Sequence, residues 1–229
     1  MAHYQIAGLT VEMNVTGRTL RQAAPYQIHP QEKVDMVIQC SSQEVLEQAP
    51  ELGNLDDALY IGTGSMFSAY LLRFNGFQLH SSAVMLDGKA YLFSAPSGTG
   101  KSTHTEKWCR LFGAQLLNDD KPALRYQQEE WIAYGTPWSG KHDLSTPVGV
   151  PLGGIAFLER GQENEIHRLS PGEAVPDILR ETLRALPASQ ISQLLGLVDR
   201  LLQEIPVWKL RCRNDDEAAL VSYGAMTKE

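Results

Sequence analysis

The pattern of apolar and polar positions predicts a chain that mixes short strands with helices. Near the N-terminus, apolar and polar residues alternate in three stretches, which is typical of strands with one buried face. These stretches are residues 4–9, 10–15 and 34–40. Residues 41–60 are polar and weakly periodic, and we interpret them as an irregular segment or the edge of a small N-terminal layer. Residues 65–74 have apolar side chains at helical spacing and predict a short helix.

A hairpin is predicted in the middle of the chain. Residues 77–86 (FQLHSSAVML) and 89–94 (KAYLFS) are strand-like, and Asp87-Gly88 separates them. An Asp-Gly pair between two such stretches is a strong signal for a tight hairpin turn. A loop of small residues then leads into a predicted helix over residues 101–112, which ends at Gly113.

Beyond residue 113 the same reasoning predicts further strands, helices and one irregular segment. Residues 135–154 are rich in glycine and proline, and the pattern predicts neither a helix nor a strand over the whole of this segment. The predicted strands are 114–117, 155–160, 207–212 and the two arms of a hairpin over 123–135 with its turn at 127–130. The predicted helices are 174–186, 189–205 and 215–226. Hairpins and helices around one sheet indicate an α/β or mixed α+β fold.

Composition and charge narrow the class of protein. The 229 residues include 20 basic and 27 acidic side chains, which gives a net charge of −7 and argues against a nucleic-acid partner. Three widely spaced cysteines form neither a disulfide framework nor a zinc pattern, so a reducing compartment is expected. The sequence shows no signal peptide and no apolar run of membrane-spanning length. We therefore expect a cytoplasmic protein with no membrane partner.

The loop after the predicted hairpin matches a phosphate-binding loop at all but one position. The pattern G-x-x-x-x-G-K-[ST] falls on residues 95–102, with alanine in place of the first glycine. Gly98 and Gly100 allow backbone amides to converge on an anion, and Lys101 adds a positive charge. Ser102 is in the usual place to bind Mg²⁺. The alternative is a glycine-rich turn that caps a helix. The predicted nucleotide-binding residues are Pro96, Ser97, Gly98, Thr99, Gly100, Lys101, Ser102 and Thr103.

Two further signals indicate phosphate transfer. Asp119 and Asp120 follow a short strand, which we expect to lie beside the strand that leads into the loop. One carboxylate could hold a divalent metal ion while the other takes a proton, although such a pair is also common in turns. His80 lies on the first arm of the hairpin, and the residues alone leave open a role beside the phosphate or a structural one.

These segments together resemble the catalytic domain of HPr kinase/phosphorylase and, more distantly, ATP-dependent phosphoenolpyruvate carboxykinase. The resemblance is carried by LHSSAVMLDGKAYLFSAPSGTGKSTHT, by LNDDKPAL and by GTPWSGK with VPLGGIAFLERG, and it covers roughly residues 75–220. It implies a carboxykinase-like P-loop domain over residues 75–229, with a mixed sheet and flanking helices, and a small β-rich appendage over residues 1–74. It also implies ATP and Mg²⁺ as cofactors. The implied catalytic residues are His80, Lys101, Asp119 and Asp120, and the implied metal ligands are Ser102, Asp119 and Asp120.

The sequence departs from this family in three places. Ala95 replaces a glycine, Thr103-His104 stand where the family has a glutamate, and we find no equivalent of the glycine- and arginine-rich segment that engages HPr. We therefore predict an ATP-dependent kinase that phosphorylates a hydroxyl, on serine of a peptide, of a small protein or of the free amino acid. The alternative is a partner protein that senses nucleotide without catalysis. A carboxykinase acting on a small keto acid ranks third.

The irregular segment and the state of assembly complete the predictions. We interpret residues 135–149 as a flap or substrate wall, with Trp138 and Lys141 as candidate contacts. Packing of the tryptophan and solvation of the lysine are the alternatives. The resemblance leaves a homo-oligomer as one option.

Overall fold

The computed structural model describes residues 1–182 and 188–228 and shows a mixed α/β architecture. The strands are β1 (Ala2–Ile6), β2 (Leu9–Met13), β3 (Gln27–Ile28), β4 (Met36–Ile38), β5 (Gly76–Gln78), β6 (Ser81–Leu86), β7 (Lys89–Ser94), β8 (Gln115–Asn118), β9 (Ala123–Gln127), β10 (Glu130–Tyr134), β11 (Gly149–Arg160), β12 (Glu165–Arg168) and β13 (Val207–Cys212). The α-helices are α1 (Gly17–Ala23), α2 (Ser42–Gln48), α3 (Leu55–Leu71), α4 (Lys101–Phe112), α5 (Pro171–Thr182), α6 (Ala188–Glu204) and α7 (Asp216–Met226). No helix in these ranges is long and apolar enough to cross a membrane.

The first 74 residues, called the N-terminal layer below, form a four-stranded sheet in the order β3-β1-β2-β4, together with α1, α2 and α3. β1 and β2 form a hairpin whose turn residues, Ala7 and Gly8, both have positive φ angles, and β4 pairs in parallel with β2. The buried face of this sheet packs against Phe67 and Leu71 of α3 and against Trp138 from the later chain.

The long helix α3 differs from the prediction. It starts at Leu55 rather than at residue 65, and α2 occupies part of the stretch interpreted as irregular. Its helical period is masked because small residues replace apolar ones where neighbours come close. A Cβ at Gly62 would lie 2.4 Å from the Cys40 sulfur, and one at Gly64 would lie 2.8 Å from the Trp138 ring.

The larger sheet runs in the order β5-β9-β10-β11-β7-β6-β8, and β13 also pairs with β11 and carries β12 at its other edge. β11 joins the two parts of this sheet. Its first residues pair antiparallel with β10, while its later residues pair in parallel with both β7 and β13. It begins at Gly149, so the last part of the segment predicted as irregular is strand.

Helices cover both faces of the larger sheet. Leu92 and Ile155 pack on one face against Ile178 of α5 and Val198 of α6. Phe93 packs on the other face with Trp108 of α4 in a second apolar cluster, which also includes residues of α7. The predicted helix 174–186 corresponds to α5 as far as Thr182, and its residues 183–186 lie outside the described part of the chain.

Several local predictions are confirmed. Asp87 and Gly88 form the turn between β6 and β7, with φ angles of 50° and 78°. Helix α4 spans the predicted residues and ends at Gly113, which is left-handed. The turn between β9 and β10 falls at Gln128 and Glu129, inside the predicted range.

Two predictions about the centre of the sheet are wrong. Residues 77–86 do not form one strand, because β5 pairs with β9 whereas β6 pairs with β7 and β8. The chain changes neighbours between these two strands, and His80 lies in the break. In addition, β8 does not lie beside β7, because β6 lies between them. β7 and β8 are both antiparallel to β6. Their C-terminal ends therefore lie beside the start of β6, at the same end of the sheet.

Candidate functional site

The loop between β7 and α4 has the backbone of an anion cradle. Its positive φ angles fall at Gly98 (80°) and Gly100 (120°), a region that side chains with a Cβ rarely enter. Ala95 is outside that region, so alanine is compatible with the first position of the loop. The side chain of Lys101 is buried, and its Nζ donates a hydrogen bond of 2.8 Å to the Ala95 carbonyl oxygen. The N-terminus of α4 therefore points its amides and one lysine at the same small space.

The two carboxylates follow β8 in a turn that Asn118 shapes. The fully buried Asn118 amide oxygen accepts hydrogen bonds from the backbone N–H groups of Asp120 (3.0 Å) and Lys121 (2.7 Å). Asp119 is also buried, and its Oδ1 accepts a 2.9 Å hydrogen bond from the Ser82 hydroxyl. That hydroxyl lies 2.9 Å from the Thr105 hydroxyl on α4. Asp119 is thus tied to the helix that follows the loop.

His80 lies between two carboxylates. Its Nε2 is 3.2 Å from Asp120 Oδ1, and its Nδ1 is 2.8 Å from Glu181 Oε2 at the end of α5. The His80 backbone N–H also donates to the Glu181 carbonyl oxygen at 3.1 Å. Sequence reasoning missed Glu181, because it lies 101 positions along the chain from His80 in a segment without a motif.

The charge of Asp120 is stabilised by its neighbours. Burial by itself would raise the pKa of this carboxyl group, but the hydrogen bond with His80 and the positive charges of Lys121 and Lys101 outweigh burial. The pKa of Asp120 is therefore lower than that of an ordinary aspartate, and the group is ionised at neutral pH.

These side chains share one cavity of about 620 Å³. The predicted site residues that line it are His80, Ser97, Gly98, Gly100, Lys101, Ser102, Thr103, Asp119 and Asp120. Arg18, Tyr60 and Ile61 of the N-terminal layer also line it, and sequence reasoning missed them because no motif marks them. Pro96 and Thr99 do not line this cavity.

A second cavity of about 530 Å³ lies on the other side of the loop. It shares Gly98, Gly100 and Thr103 with the first cavity and adds Thr99. Its basic side chains come from Lys107, Arg160 and Arg213. The loop therefore faces open space on two sides.

The predicted flap lines the first cavity through a short turn rather than through its tryptophan. Gly140, Lys141 and His142 line the first cavity. Trp138 is fully buried, stacks on Phe67 with ring centroids 4.7 Å apart, and donates to the Thr63 hydroxyl. The suggestion that Trp138 contacts a substrate is wrong, because burial removes its ring from the cavity.

His104 of α4 is buried at the border of the second cavity. It is buried against Phe93, and its Nε2 is 2.9 Å from the Ser222 hydroxyl of α7. Burial lowers its pKa to about 3, so the ring is neutral under ordinary conditions.

Comparison with known proteins gives a structural likeness at low sequence identity. No family model matches the chain, and neither does any curated protein. Among solved structures, the HPr(Ser) kinase/phosphatase from Coxiella burnetii matches with 11% sequence identity and a TM-score of 0.40. The match covers 66% of this chain and 97% of that one.

Proposed function

We propose that this chain is an ATP-dependent kinase that transfers the γ-phosphate to a hydroxyl group. The observation that carries the proposal is a single cavity in which loop residues 97, 98 and 100–103 meet His80, Asp119 and Asp120. An anion cradle alone is compatible with simple nucleotide binding. Two carboxylates beside it repel a phosphate unless a metal ion and a proton-donating acceptor are present, which is the arrangement that phosphoryl transfer needs.

We infer a fold of the HPr kinase and phosphoenolpyruvate carboxykinase type for residues 75–229. The support is the strand pairing around the loop. β7 is the second arm of an antiparallel hairpin with β6, and it leads directly into the loop. In a doubly wound P-loop protein the corresponding strand lies in a largely parallel sheet.

The residues present fit MgATP. A Cβ built at Gly98 or at Gly100 meets no atom within 4 Å, so the space over the loop is open to a phosphate. Ser102, Asp119 and Asp120 offer hard oxygen ligands of the kind that Mg²⁺ prefers, completed by phosphates and water.

The second cavity supports a nucleoside triphosphate rather than free phosphate as donor. It shares Thr103, in the first turn of α4, with the first cavity, and its basic residues include Lys107 and Arg160. A triphosphate in the cradle with its γ-phosphate toward Asp120 would have room for its nucleoside on this side.

The reaction would use the chain's own groups in three ways. Lys101 and the loop amides would hold the β- and γ-phosphates, and Ser102 with one of the two aspartates would hold a Mg²⁺ ion that supplies charge neutralisation. One of Asp119 and Asp120 accepts the proton of the acceptor hydroxyl while the other holds the metal. The hydroxyl oxygen forms a bond to the γ-phosphorus, the bond from that phosphorus to the bridging oxygen breaks, and ADP leaves. The acceptor is serine in a peptide or small protein, or a small hydroxyl compound.

The test is transfer from γ-labelled ATP with Mg²⁺ to serine, serine peptides and cell lysate, beside calorimetry of MgATP binding. Wild type should bind MgATP and label an acceptor. Lys101→Ala should weaken binding about ten- to a hundredfold, since a charge-assisted contact contributes about 1.5–3 kcal/mol. Folded protein that binds no nucleotide at millimolar concentration would refute the proposal. Tight binding without any transfer would favour the non-catalytic sensor.

A further inference from the structure

The N-terminal layer supplies part of the catalytic cavity. Arg18 of α1 and Tyr60 of α3 line it together with Gly140, Lys141 and His142. The donor side of the cavity is the phosphate loop, whereas these residues lie on the side of Asp120.

The turn at residues 139–143, called the 140 turn below, is fixed by this layer. Arg18 donates to the Gly140 carbonyl oxygen and, at 2.8 Å, to the Asp143 carboxylate. The Gly140 N–H donates to the Tyr60 hydroxyl at 3.1 Å, and the Ser139 hydroxyl donates to the Gln22 side chain at 3.2 Å. These contacts hold the backbone of the 140 turn against α1 and α3.

The 140 turn packs directly on a proposed catalytic group. Gly140 has a φ angle of 76°, and a Cβ at this position would lie 2.7 Å from the Cβ of Asp120. A hydroxyl placed to give its proton to either aspartate would therefore bring the rest of the acceptor against this wall.

The lining of the cavity carries more basic than acidic side chains, although the chain is acidic. Arg18, Lys121 and Lys141 line the cavity in addition to Lys101 of the loop, and its lining carboxylates are Asp119 and Asp120. The chain as a whole has a net charge of −7. The charge of Arg18 is balanced by Asp143 and Asp57, which are not among the lining residues. Lys141 is exposed at the cavity, where it can reach a bound molecule.

We propose that α1, α3 and the 140 turn form an acceptor subsite for a hydroxyl compound with a carboxylate close to the hydroxyl, and that Lys141 binds this carboxylate. The inference depends on the proposed kinase function and adds the charge class of its acceptor. It also gives the N-terminal layer a function, because this layer holds the wall of the subsite in place.

The test uses acceptor pairs that differ only in charge. One pair is a serine peptide with two flanking aspartates and the same peptide with asparagines, and the other is L-serine and L-serinamide. Wild type should phosphorylate the anionic member of at least one pair with a kcat/KM about ten- to a hundredfold higher, as expected for one charge-assisted contact. The peptide pair and the amino-acid pair distinguish a side-chain carboxylate from that of the free amino acid.

Variants of Lys141 test whether this residue causes the preference for the anionic acceptor. Lys141→Ala should abolish it by raising KM for the anionic acceptor while KM for ATP stays the same, and Lys141→Glu should reverse it. Lys89→Ala is the matched control, because Lys89 is an exposed lysine at the other end of β7 from the loop. It should keep the wild-type preference.

Two results would overturn the subsite. One is equal kcat/KM for the charged and neutral members of both pairs. The other is a Lys141→Ala variant in which only KM for ATP rises, since that would place Lys141 on the donor. Absence of transfer to any acceptor is a different result, because it removes the kinase function itself and the subsite with it.

Discussion

Asp119 and Asp120 are adjacent in the sequence but have different partners. Asp119 is buried beside Ser82, whereas Asp120 contacts His80. We expect the two asparagine variants to behave differently. Loss of the base should lower the transfer rate by about 10²–10⁴ with little change in MgATP affinity, because general base catalysis contributes a factor of that size. Loss of the metal ligand should weaken MgATP binding as well.

The measurements are single-turnover transfer and calorimetry on Asp119→Asn and Asp120→Asn. These variants preserve side-chain shape and remove one negative charge each. Transfer at the wild-type rate by both variants would show that neither carboxylate takes part in the reaction.

His104 predicts a pH dependence of stability. Its pKa is about 3 in the folded chain and about 6.5 in an unfolded one. Between these values the unfolded state binds a proton that the folded state excludes. The free energy of unfolding should therefore fall as the pH falls from about 6.5 toward 3, by about 1.4 kcal/mol per pH unit from this residue.

Denaturant titrations at several pH values would measure this slope. His104→Gln keeps a polar partner for Ser222 and does not titrate, so its slope should be smaller than that of wild type. Identical slopes for the two proteins would assign the acid sensitivity to other groups.

At the scale of elements, α5 controls the orientation of His80. The carboxylate and the backbone carbonyl of Glu181 both contact His80. Glu181→Ala should release the ring and lower kcat by up to about a hundredfold, the size of effect expected for a displacement near 1 Å. Glu181→Gln retains an acceptor for Nδ1 and should lose less.

Asp177 provides the matched control on the same helix. It is a buried carboxylate one turn earlier, and it pairs with Lys209 and Arg180 outside the cavity. Asp177→Asn should lower the melting temperature and leave kcat unchanged. An unchanged kcat in Glu181→Ala, or an equal loss in Asp177→Asn, would contradict a specific effect on His80.

The elements that could be predicted are those with local causes. The Asp87-Gly88 turn and the limits of α4 follow from backbone preferences at single residues, and both are confirmed. Pairing between distant segments has no local signal, so the position of β6 between β7 and β8 and the contact from Glu181 were missed. The predicted length of α3 was too short, because close packing requires Gly62 and Gly64 at positions where the apolar pattern of a helix would have larger residues.

At the scale of the molecule, contacts join the N-terminal layer to the rest of the chain. Trp138 stacks on Phe67, and Arg125 donates to the Ala7 carbonyl oxygen at 2.6 Å. We therefore expect one cooperative unfolding transition. Variants that retain only Trp138, only Trp131 or only Trp108 report three different apolar clusters. In each variant, the fluorescence midpoint in denaturant should coincide with the midpoint measured by far-UV circular dichroism.

In the Trp138 variant, a fluorescence midpoint earlier than the circular dichroism midpoint would show that residues 1–74 unfold as a separate unit. Far-UV circular dichroism on the same variants is the control, because it follows all elements together. Agreement between the two signals supports a single transition.

The pairing of β11 limits where residues can be inserted into the chain. Three neighbours, β10, β7 and β13, set its register at once. One residue inserted within it would turn the side chains beyond the insertion to the other face of the sheet, where they would meet the wrong helices. The turn at Gln128 and Glu129 has no such restriction, since both residues are exposed between two paired strands. Length differences among homologues, and sites chosen for inserted tags, should therefore fall in that turn and avoid β11.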